Sequence, residues 1–92
     1  MENGLKITEI RFIRIKDDAG PVKAEATVTL NDALAVHGVK IVRINGKVKV
    51  TMPSRKDHKG KYVDIIHPVS QKMREYLENE ILEYYFEKTV SG

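Results

Sequence analysis

The stretch Val22–Leu30 admits one regular conformation. Val22, Ala24, Ala26, Val28 and Leu30 alternate with Lys23, Glu25, Thr27 and Thr29, and only a period of two gathers the first set on one face and the second on the other. A helix would scatter both sets around its circumference. The chain must therefore build a sheet around this strand, with one face in the core and the other wet.

The flanking segments supply partners. Leu5–Lys16 is rich in isoleucine, but its period of two slips at Phe12-Ile13, which predicts a bulge or a strand covered on both faces. Asp17-Asp18-Ala19-Gly20-Pro21 reads as the turn of a hairpin, and Asn31-Asp32 as a second turn. Ala33–Ile44 is a long extended run interrupted by Gly38, where a bulge or a close backbone approach is expected. Asn45-Gly46 is a strong signal for a two-residue hairpin, since both central residues of a type I′ turn need positive φ. Lys47–Met52 then alternates again, placing Val48, Val50 and Met52 inward and Lys47 and Lys49 together on the outer face.

At Met52-Pro53-Ser54 the alternation stops. Arg55-Lys56 follow, Gly60 permits a turn, and Tyr62–Ile66 resumes an extended run that closes at His67-Pro68, where the proline forces a change of direction. Ser70 is the expected N-cap of a helix running to about Lys88. Met73, Tyr76, Leu77, Ile81 and Tyr84 fall on one side of that helix, with Tyr85 at the edge, while Leu82 and Phe86 point away and predict either a partner or plain exposure. Lys72 and Arg74 occupy the first turn, where the helix dipole disfavours cations unless an anion binds. The order of elements predicts an α+β fold: an antiparallel sheet of about five strands with a C-terminal α-helix packed on it. The 92 residues read as a single domain, with residues 1–4 as a disordered N-terminus.

Charge is concentrated in the middle of this chain. Lys40, Arg43, Lys47, Lys49, Arg55, Lys56, Lys59 and Lys61 stand against Asp57 alone, whereas the net charge of the whole is only +3. Such a segment attracts phosphate backbones or acidic partners; the plainer reading is a solvated lysine-rich sheet face.

Several function classes are disfavoured. The chain has no cysteine, hence no disulfide framework or thiolate site, which suits a reducing cytoplasm. No apolar run approaches the roughly 20 residues that span a bilayer, and Met1–Gly4 lacks the features of a signal peptide. The spacing of His37, His58 and His67 matches no metal-ligand pattern, and Ser54 and Ser70 have no clear base to activate them even if Asp64 and His67 pair. No glycine-rich phosphate loop is present. The expectation is a protein that is not an enzyme, with no metal, cofactor, small-molecule substrate or membrane partner.

Specific motifs carry a family likeness. The run Met52-Pro53-Ser54-Arg55-Lys56, then Asp64-Ile65, His67-Pro68-Val69 and Arg74, with upstream Ala26–Leu30 and Val36–Lys40, resembles the SpoVG family of bacterial septation regulators, over about Ile7 to Tyr85. The resemblance implies a small antiparallel sheet with a C-terminal helix, dimerisation through the sheet, site-specific binding of DNA or RNA, and roles in septation, sporulation and gene regulation. The family's basic pair matches Arg55 and Lys56, and its arginine at the helix start matches Arg74. The family often has threonine-proline after the basic pair, where this chain has Asp57-His58; Lys47 and Lys49 are additions to its pattern.

Two functions follow as expectations. The first is a cytoplasmic, homodimeric nucleic-acid-binding regulator, with Arg55, Lys56 and Arg74 as the main contacts and Lys47, Lys49, Lys59 and Lys72 as electrostatic support. The second is a protein-interaction module of the cell-division or envelope machinery that uses the same charge on acidic partners.

Overall fold

The structure, a computed structural model, describes residues 4–16 and 19–90. Residues 1–3 of the expected disordered N-terminus, and Asp17 and Asp18 of the first expected turn, lie outside the described residues. Strands β1 (Ile7–Ile15), β2 (Val22–Leu30), β3 (Leu34–Ile44) and β4 (Lys47–Thr51) form one antiparallel sheet in that order. Strands β5 (Ser54–Lys56) and β6 (Tyr62–Asp64) pair with each other as a second, two-stranded sheet, and helix α1 (Gln71–Val90) completes the chain. The α+β class and the C-terminal helix are as the sequence predicts.

The alternation in β2 reads directly as burial: Ala24, Ala26, Val28 and Leu30 are buried, and the residues between them are half-exposed. Val28 and Leu30 join Val39 and Ile41 of β3 and Leu77 and Ile81 of α1 in the core, with Ile41 and Ile81 fully buried. Burial of one such side chain is worth roughly 1.5–3 kcal/mol. The irregularities also fall where the side-chain phase breaks. Ile13 is the unpaired residue between the pairs Phe12–Ala26 and Arg14–Glu25, and His37 and Gly38 together oppose Thr27 between the pairs Ala26–Val39 and Val28–Val36. Gly38 has φ +84°, and its Cα lies so close to Pro53 that an added Cβ would meet the proline Cβ at 3.5 Å. Asn31, Asp32 and Asn45 take positive φ in the tight turns, a conformation asparagine and aspartate tolerate better than other non-glycine residues.

Two expectations need correction. The run Tyr62–Ile66 does not add a fifth strand to the main sheet; only Tyr62–Asp64 is a strand, and it folds back on Ser54–Lys56. Pro53 has no N–H to continue the β4 ladder, and the intervening turn closes locally, so the nearest free backbone is the segment's own. Leu82 does not point into solvent but packs against the core, leaving only Phe86 exposed, with its ring edge on Tyr85. The helix lies over a broad sheet and reaches both edge strands, β1 and β4, so residues flanking the Leu77–Ile81 line also find cover.

Ser70 is the N-cap. Its Oγ accepts the Met73 N–H at 3.1 Å, satisfying one of the donors left free at a helix start. At the far side, Phe12 of β1 stacks on Tyr84 at 5.7 Å and meets Tyr85 edge-on at 6.0 Å.

Candidate nucleic-acid interface

The β5–β6 hairpin is an arm. Every residue of both strands is exposed, and its base is held by the Ile65 N–H donating to the Pro53 carbonyl at 2.8 Å. The turn is built by Asp57. Its Oδ1 accepts the backbone N–H groups of Lys59 at 2.8 Å and Lys61 at 2.9 Å, its own N–H donates to the Lys61 carbonyl, and Gly60 takes φ +81°. Thus Asp57 is the residue that closes the turn, a role suited to its short acceptor side chain.

Register fixes the faces of the arm. Directly opposed residues of an antiparallel pair share a face. Arg55 and Val63 therefore lie on one side, and the pairs Lys56–Tyr62 and Ser54–Asp64 on the other. The Lys56 ammonium sits 5.5 Å from the centroid of the Tyr62 ring. Arg55 and Lys59 take part in no ion pair among the described residues, so their charge faces water.

The predicted contact residues occupy three consecutive elements. Arg55, Lys56 and Lys59 are together on the arm. Lys47 and Lys49 project from the exposed face of β4, cross-strand from Ile44 and Val42. Lys72 and Arg74 are exposed in the first turn of α1, and the Arg74 guanidinium reaches back to the Pro68 carbonyl at 3.4 Å, across the turn that joins arm to helix. No acidic residue lies in that first turn. Arg55, Lys56 and Lys59 share the arm, and the other four are divided between β4 and the first turn of α1. Tyr62 is not among the contacts expected from the sequence, where it is part of an extended run; folding the segment through the turn at Asp57–Gly60, which pairs position 56 with position 62, is the signal that finds it.

Among the described residues, no group of three or more His, Cys, Asp or Glu side chains is arranged to hold a metal ion. His37 shares a hydrogen bond with the Thr27 hydroxyl at 3.0 Å on the open sheet face, His58 is in the arm's turn, and His67 precedes Pro68. No helix among the described residues is long and apolar enough to cross a membrane.

Comparison with known proteins gives a consistent answer. The family model described as SpoVG matches residues 5–87. A protein of Agathobacter rectalis is 37% identical over 81 residues, covering 88% of this chain and 92% of its own. One from Borrelia hermsii is 34% identical over 90 residues, with 96% and 94% covered, and one from Desulforudis audaxviator is 38% identical over 81 residues, with 88% and 91% covered. All three bear the name "Putative septation protein SpoVG".

Proposed function

The chain belongs to the SpoVG family, and from that premise we propose that it is a homodimeric, non-enzymatic, cytoplasmic regulator of bacterial septation and gene expression that works by binding nucleic acid. The observation that carries this reading is the arm: Arg55, Lys56 and Lys59 stand exposed on a hairpin whose two strands have no buried residue. A folded element with so little packing has little value to stability, whereas clustered cations on a narrow projection suit a phosphate backbone. Arginine adds a rigid fork for phosphate or guanine, and lysine adds charge.

The homodimer is supported by the apolar surface at the base of the arm. Ile65 is 64% exposed and Val69 93% exposed, and their chain neighbours Ile66 and Pro68 line an apolar hollow of about 90 Å³ together with Leu5, Met52 and Met73 among others. Contiguous exposed apolar groups mark an interaction surface more often than isolated ones do, and in a twofold dimer one interface covers the same patch on both copies.

An electrophoretic comparison of single-stranded RNA, single-stranded DNA and duplex at moderate salt tests the central reading. Retardation of at least one of them is expected. Failure of all three to bind, with capture of acidic protein partners retained, would transfer the same charge to the protein-interaction reading.

A further inference from the structure

We infer that Tyr62 is a base-stacking residue, so that the arm takes nucleic acid as a single strand with one base laid on the phenol ring; this rests on the nucleic-acid reading above and names its substrate class. Tyr62 is 67% exposed, so most of its ring is open to a ligand. Its neighbours on the same face are Lys56, whose ammonium lies 5.5 Å from the ring centroid, and the small polar pair Ser54–Asp64. Lys56 therefore covers part of the ring, and nothing bulky on that face of the arm shields the rest. Arg55 on the opposite face of the arm, and Lys59 and Lys61 in and beside its turn, are also exposed.

An accessible ring among cations is the arrangement that single strands favour. The cations follow the phosphates while the ring accepts the face of a base, a contact indifferent to base identity because every base has a π-face. A duplex offers no such face, since its bases already stack on one another. The competing account makes the ring a cover for the lysine stem, worth a fraction of a kcal/mol to the hairpin. That account uses the ring for Lys56 and gives no base a place on it, so it predicts equal affinity for normal and abasic strands.

The test measures binding of one oligonucleotide sequence as single-stranded DNA, single-stranded RNA, duplex DNA and an abasic single strand of equal charge. Against single strands, Tyr62→Phe is expected to bind as the unaltered protein does, and Tyr62→Leu about tenfold more weakly, the lower range for one aromatic–base stack. Because the chain has no tryptophan, Tyr62→Trp supplies a unique fluorophore, whose emission should be quenched by the normal strand and not by the abasic one. Full single-strand affinity in Tyr62→Leu, or equal affinity of the unaltered protein for the normal and abasic strands, would overturn the stacking role while leaving phosphate binding by the arm intact. If no oligonucleotide bound the unaltered protein, the nucleic-acid reading would fall and the stacking role with it.

Discussion

The hydroxyl of Tyr76 accepts a hydrogen bond from the backbone N–H of Ile7 at 2.9 Å, joining the helix to the first residue of the edge strand. An edge strand carries unpaired backbone groups along its outer side, and this contact closes one of them with a partner 69 residues away in sequence. Tyr76→Phe removes the acceptor and keeps the ring. It should cost about 0.5–1.5 kcal/mol, seen as a fall of several degrees in the melting temperature at fixed protein concentration, roughly 4–8 °C per kcal/mol for a domain of this size.

Ser70 starts the helix on the other side of the arm. Ser70→Ala should destabilise by about 1 kcal/mol, whereas Ser70→Asp should hold or raise the melting temperature, since a carboxylate both caps the helix and complements its dipole. Thermal melts followed by helical circular dichroism distinguish the two. Equal melting temperatures for Ser70→Ala and the unaltered protein would mean that the 3.1 Å bond to Met73 contributes nothing net.

How much of this was legible in the sequence varied with how local the cause was. The β2 alternation, the slip at Ile13, the bulge at Gly38, the Asn45-Gly46 turn and the Ser70 cap each follow from a few neighbouring residues, and each stands where the residues put it. The arm did not follow. Tyr62–Ile66 reads as extended, but which strand it pairs with is decided by Asp57 holding two backbone donors and by Pro53 ending the β4 ladder, a competition between partners that a hydrophobic pattern does not encode. Leu82 was misjudged because a helical wheel assigns one narrow buried line, while a helix on a flat sheet is covered on its flanks. Of the predicted contacts, those on the arm share one element; the spacing of Lys47, Lys49, Lys72 and Arg74 in the chain said nothing of their distribution over β4 and α1.

The dimer should depend on the base of the arm rather than on the helix. Light scattering is expected to return twice the 10.5 kDa chain mass for the unaltered protein, and a shift toward the monomer for Val69→Asp. Phe86→Glu should leave the dimer intact, because Leu82 is occupied in the core and Phe86 alone is a small contact. Dissociation by Phe86→Glu and not by Val69→Asp would move the interface to the helix.

The central claim is that Arg55 and Lys56 contact phosphate, and the salt dependence of the double variant Arg55→Ala/Lys56→Ala measures it directly. Both side chains are exposed, so the melting temperature should stay within the small range of surface substitutions. Binding to a single strand should weaken at moderate salt, and the slope of log K against log salt should become shallower by about 1.4, the loss of two phosphate contacts at about 0.7 each. An unchanged melting temperature together with unchanged affinity and unchanged slope would contradict the assignment of the arm as the nucleic-acid contact.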